Sequence, residues 1–77
     1  MLVRKAVYNL MSAEMLNKRI DRLAVKLQNE DDIKKKLNIL HVITEAVDIA
    51  MRKNQFDEAF LKEIGFKHLD ILTKSGI

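Results

Sequence analysis

His41, Glu45 and Asp48 come nearest, by residue type and spacing, to a site of chemistry in this sequence. On a helix, residues four and then three positions apart lie on one face. An imidazole beside two carboxylates can bind a metal ion or transfer a proton. The order of these three residues along the chain, however, does not match the Glu-x-x-His motif of bundle di-metal sites or the His-Glu-x-x-His motif of zinc proteases. The spacing therefore favours a solvated helix face on which Asp48 pairs with Arg52.

No other pattern in the sequence is typical of catalysis or of a bound cofactor. The 77 residues include no Cys, which excludes disulfides and thiolate metal sites. The acidic run at 30–32 lacks the glycine turn and the distal Glu of a calcium loop. A helical domain of this size also has little room for a ligand pocket of ordinary volume, about 300 Å³ or more. We therefore predict that the protein is not an enzyme and uses no metal or cofactor.

The basic residues are concentrated in the first third of the chain. Residues 1–27 hold six basic residues against two acidic ones. On a helix, five of these cations share an arc of roughly 100° with one Tyr and two Met. The predicted partner-binding residues are Arg4, Tyr8, Met11, Met15, Lys18, Arg19, Arg22 and Lys26. Cations interleaved with flexible apolar side chains favour an acidic, partly apolar protein partner, and a plain solvated face is the simpler alternative.

Nucleic acid is a second candidate partner for the same basic arc. A stripe of cations in a chain of pI about 9.3 can follow phosphates. The net charge of only +3 and the lack of stacking aromatics among the cations weigh against this partner. Ala59 and Gly65 also stand six residues apart, which does not fit the usual helix-turn-helix register.

Residues 33–53 predict a helix with a wide apolar side. Apolar residues cover roughly 200° of it, about twice what a surface helix needs. One apolar seam contains Ile33, Leu37, Leu40, Val47 and Met51. A second seam contains Ile39, Val42, Ala46 and Ile49. This second seam either packs within a three-helix bundle or forms the interface of a homodimer.

The segment before this helix predicts an antiparallel hairpin. Apolar residues stay in phase over 2–28, which favours one continuous helix, with a kink at Ser12 or a second helix capped by Ser12 as alternatives. The polar residues 29–32 then interrupt the pattern and can cap the helix that follows. So short a connection sets the two helices side by side, with Ile20 facing Leu40 and Leu10 near Met51.

The C-terminal part predicts short helices laid across the hairpin. Asp57 is a candidate N-cap, and Phe56 and Leu61 are spaced as a hydrophobic staple. Gly65 favours a helix end, with Phe66 packing back on Leu61. The predicted elements are helices over 58–64 and 67–75, or one helix over 58–75 if Gly65 is internal.

Together these patterns predict an all-α fold in one domain, residues 1–77: a long antiparallel helical hairpin with short C-terminal helices, resembling a three-helix bundle. No apolar run reaches the roughly 18 residues of a membrane span, and a cytoplasmic location is expected. We predict a small regulatory or accessory protein, such as an inhibitor or adaptor of a phage or bacterium, that binds another protein and self-associates. The alternatives are a nucleic-acid-binding protein and a structural homo-oligomer.

Overall fold

The fold is all-α, as predicted. A computed structural model describes the backbone of residues 2–77 and the side chains of residues 4–77, and the backbone described forms α-helices and no strand. The helices are α1 (Leu2–Leu10), α2 (Ala13–Gln28), α3 (Ile33–Lys53) and α4 (Glu58–Lys74).

Side-chain caps set the starts of α3 and α4. Asp32 Oδ1 accepts a hydrogen bond from the backbone N–H of Lys34 at 2.9 Å, and Asp57 Oδ1 accepts one from Phe60 at 3.1 Å. Each cap satisfies an N–H that has no partner within the helix. At the other end of α3, the Asn54 N–H donates to the Ala50 carbonyl oxygen. The predicted bounds of the helix over 33–53 and the predicted cap at Asp57 are confirmed.

Helices α2, α3 and α4 pack around one apolar core. α2 and α3 make the most extensive contact in the structure. α4 runs antiparallel to α3, since Thr44 Oγ1 lies 3.2 Å from His68 Nε2 and Lys36 reaches the carbonyl of Ser75. The largest fully buried side chains come from all three helices: Leu16, Ile20, Ile43 and Ile64. The hairpin with a helix laid along it is therefore present.

The predicted continuous helix over 2–28 is wrong, because the chain breaks at Met11 and Ser12. Ser12 has extended backbone angles (φ −69°, ψ 160°), and its Oγ accepts a hydrogen bond from the N–H of Met15 at 3.2 Å. A serine that bonds to the backbone in this way competes with helix continuation. Ser12 therefore caps a second helix that begins at Ala13, which was the alternative.

Three predicted apolar contacts are also absent. Leu10 is 88% exposed rather than packed near Met51, because α1 leaves the line of α2. Phe56 is 91% exposed, so it forms no staple with Leu61. Phe66 is also exposed and does not pack back on Leu61. Local spacing suggested the two Phe contacts and the hairpin register suggested the Leu10 contact, and the packing of the helices overrides both.

Gly65 lies inside α4, so the predicted helix end there is wrong and the single-helix alternative is correct. Caps at Asp57 and Ser75 and the buried side chains of Ile64 and Ile71 support the helix on both sides of the glycine. A Cβ at position 65 would lie 3.8 Å from the Cε of Met51, which is an ordinary van der Waals contact.

We therefore expect Gly65→Ala to stabilise the protein. Alanine removes the backbone entropy cost of an internal helical glycine, so the free energy of unfolding should rise by about 0.5–1 kcal/mol. Urea denaturation measures the change. The control is Gly76→Ala, because Gly76 has φ +76° and an alanine there is strained. A loss of stability at position 65 as large as that at position 76 would contradict the helical assignment.

Candidate functional site

An open cleft of about 380 Å³ lies between α1 and α2. Its lining residues come from α1, the break and the first ten residues of α2: Val7, Tyr8, Met11, Met15, Lys18, Arg19 and Arg22. We call this hollow the α1–α2 cleft. A second, more open hollow of about 680 Å³ follows the turn over residues 53–58. The sequence predicted little room for a ligand pocket of ordinary volume, about 300 Å³ or more, and both of these hollows are open depressions of the surface rather than cavities in the interior.

The break at Ser12 creates the α1–α2 cleft. Because α1 no longer continues the axis of α2, the lining side chains of the two helices meet across a concave angle. Polar contacts hold α1 alongside α3 in this position: Arg4 Nε bonds to Glu45 Oε1 at 2.9 Å, and Lys53 Nζ donates to the Asn9 carbonyl at 2.6 Å. A straight helix would have presented the same side chains as a convex stripe.

The α1–α2 cleft has an apolar floor and a cationic rim. Tyr8 is only 4% exposed, and Met11 is half-buried against the core, so both belong to the floor. Met15 is 56% exposed and forms part of the wall. The rim cations, Lys18, Arg19 and Arg22, are exposed, and none of them forms an ion pair with a described residue of this chain.

Six of the eight predicted partner-binding residues line the cleft, and Arg4 and Lys26 do not. Lys26 is exposed on α2, one turn beyond Arg22. Val7 also lines the cleft and was missed by the sequence analysis. Its position four residues before Met11 was the available signal, since residues four apart share a helix face.

Arg4 serves the fold rather than the rim. Its hydrogen bond to Glu45 lowers the pKa of that carboxyl below its ordinary value and raises the pKa of the guanidinium. Both shifts favour the charged pair that joins α1 to α3. The bond spans 41 positions in sequence, so helical periodicity gave no indication of it.

The residues first considered for chemistry, His41, Glu45 and Asp48, are divided among different partners. Glu45 bonds to Arg4, and the Nε2 of His41 stays 3.9 Å from Glu45 Oε2. Asp48 pairs with Arg52 at 2.7 Å, which confirms the predicted ion pair. Across the described side chains, no three His, Cys, Asp or Glu residues converge as metal ligands.

The second apolar seam of α3 lies inside the chain's own core. Ile39, Ala46 and Ile49 are less than 10% exposed, and Val42 is half-buried against the same cluster. α1 runs along α3 near Glu45, one turn before Ile49, and so helps to cover this side. These four side chains are therefore not free to form the predicted homodimer interface.

The fold and the cleft together define a small all-α protein with one concave, basic and apolar surface between its first two helices. Comparisons with protein-family models, with curated proteins and with solved structures found no match to this chain. Among the helices of residues 2–77, none combines the length and the apolar character needed to cross a membrane.

Proposed function

We propose that this protein is a non-enzymatic accessory or regulatory protein, an inhibitor or adaptor, that binds another protein through the α1–α2 cleft. The observation that carries the proposal is the apolar floor beside three cations, Lys18, Arg19 and Arg22, that have no ion-pair partner among the described residues. Apolar anchors that lose contact with water carry most of the energy of an interface, and charges around them chiefly steer association. The surface therefore suits a partner with an apolar anchor surrounded by carboxylates.

Nucleic acid remains the alternative, because Lys18, Arg22 and Lys26 follow one another at single-turn spacing along α2. Proteins that bind single strands commonly stack bases on exposed aromatic rings. Tyr8, the aromatic residue of the cleft, is only 4% exposed and offers no open face for stacking. The apolar share of the lining also gains nothing from phosphates, so a protein partner is favoured.

The test removes the apolar floor and wall and leaves the charge unchanged. We expect Met11→Ala combined with Met15→Ala to abolish capture of the partner from an extract of the native host, measured by quantitative mass spectrometry. The loss should exceed about 10-fold, since truncating each of two anchor side chains costs more than about 1 kcal/mol and about 1.4 kcal/mol already corresponds to 10-fold. Circular dichroism checks that the helices remain. Because Met11 also touches the core, Met15→Ala alone serves as a second variant with little effect on folding.

The matched control is Phe66→Ala combined with Leu69→Ala. Both side chains are exposed on α4 and lie outside the α1–α2 cleft, so their removal should leave capture unchanged. Equal capture by the wild type and by both methionine variants would overturn the proposal. Sub-micromolar binding of random DNA or RNA at physiological salt, unaffected by the methionine changes, would overturn it in favour of nucleic acid.

A further inference from the structure

We infer that the α1–α2 cleft binds an acidic amphipathic helix of the partner, laid alongside α2; this inference rests on the proposed function. Three features of the cleft carry it. They are the kind of backbone that the cleft can accept, the spacing of the cations along α2, and the size and character of the cleft floor.

The cleft restricts the secondary structure of the bound segment, because this protein offers few hydrogen-bond partners for that segment's backbone. Residues 2–77 form no strand, so an extended segment would find no sheet edge with which to pair. An extended segment on the apolar floor would leave part of its own backbone N–H and C=O groups without partners, which is costly. A helix satisfies these groups internally and presents only side chains to the cleft. Docking of a helix in the groove is therefore the mode that fits.

The cations of α2 repeat with the period of a second helix. Lys18, Arg22 and Lys26 stand four residues apart, which is about 6 Å per step along the axis. Carboxylates at every fourth position of a helix alongside α2 repeat at the same distance, so several ion pairs can form in register. Lys26 lies one turn beyond the cleft, and among the described residues no acidic side chain lines the cleft to compete for Lys18 and Arg22. The charge pattern thus matches a row of Asp or Glu.

The apolar floor of the cleft indicates that the partner helix also carries apolar residues, beside its row of Asp or Glu. A hollow of about 380 Å³ lies within the size range of small-molecule pockets, so it has room for an apolar anchor of side-chain size. Met11 and Met15 are unbranched and flexible, which lets them adapt to Leu, Ile or Phe anchors of different shape. A partner helix with apolar residues on one stripe and carboxylates on the adjacent stripe satisfies both the floor and the rim.

A designed peptide tests the inference directly. The probe is a helix-forming peptide of about 18 residues, long enough to be helical, with one Leu stripe and one adjacent Glu stripe. Its control is a peptide of identical composition in which Leu and Glu are scrambled so that no face is amphipathic. We expect the probe to bind at least about 10-fold more tightly than the control in fluorescence anisotropy at physiological salt, a difference of about 1.4 kcal/mol.

Two further readouts locate the binding. Met15→Ala should weaken the probe about 10-fold, while Phe66→Ala combined with Leu69→Ala should not. Circular dichroism should show a gain of helix when the probe binds. Failure of the probe to bind, equal binding of the scrambled control, or an affinity unaffected by Met15→Ala overturns the inference. These peptide results test the helical occupant alone, because the proposed function is tested by the capture experiment. Partner capture that is unaffected by the methionine changes would overturn the proposed function and this inference together.

Discussion

Ile43→Ala is expected to lower the free energy of unfolding by about 2–5 kcal/mol. Ile43 is fully buried on α3 and belongs to the core cluster that α2, α3 and α4 share. Truncation to alanine removes buried methyl groups and leaves a cavity that a close-packed core refills only in part. Small domains have a total stability of about 5–15 kcal/mol, so the loss is a large share of the whole. Urea denaturation of the purified variant measures it.

Two other positions on α3 provide the comparison. Leu37 is 50% exposed, so Leu37→Ala should cost less than about 1 kcal/mol. Leu40, which the sequence predicted to face Ile20, is only partly buried, so its truncation should cost less than that of Ile43. An equal loss at Leu37 and Ile43 would mean that the rotation of α3 about its axis is incorrect.

The elements predicted correctly are those that depend on neighbouring residues. The start of α3 follows from Asp32 and its end from Asn54, and both signals act over a single turn. The two wrong helix boundaries, at Ser12 and Gly65, are places where local signals conflict. Ser12 can cap a helix or lie within one, and an internal glycine costs only about 1 kcal/mol, which nearby burial can outweigh. Packing between distant segments decides such cases.

The members of the candidate site were largely predictable, whereas its shape was not. Helical phase grouped Met11, Met15 and Arg19 because it depends only on angles around an axis. Helical phase, however, assumes one straight helix over residues 2–28. It therefore could not show that α1 and α2 meet at an angle and that these side chains line a cleft. It also missed the Arg4–Glu45 bond that holds α1 on α3. The position of α1 in turn explains why Ile49 is buried within the chain, which is the bundle alternative to the homodimer interface that the sequence also allowed.

Reversing the charge of the rim is expected to weaken partner capture strongly. Arg19→Glu combined with Arg22→Glu places carboxylates where the proposed partner presents its own. Like charges in an interface cost several kcal/mol, so affinity should fall by more than about 100-fold, with a slower association rate. Both residues are exposed, so the fold should remain intact by circular dichroism. Surface plasmon resonance with the captured partner measures affinity and association rate.

The control for this variant is Lys34→Glu combined with Lys35→Glu, which changes the net charge equally on an exposed turn of α3 outside the cleft. It should leave affinity within about 2–3-fold of the wild type, because neither lysine lines the cleft and exposed charges outside an interface are largely screened at physiological salt. Equal losses in the two variants would indicate a general charge effect.

Measuring affinity over a series of salt concentrations then distinguishes a protein partner from nucleic acid. Nucleic acid loses affinity steeply, with a logarithmic slope of about 0.9 per phosphate contacted. A protein anchored on Met11 and Met15 should retain most of its affinity as salt rises, because apolar burial is not screened.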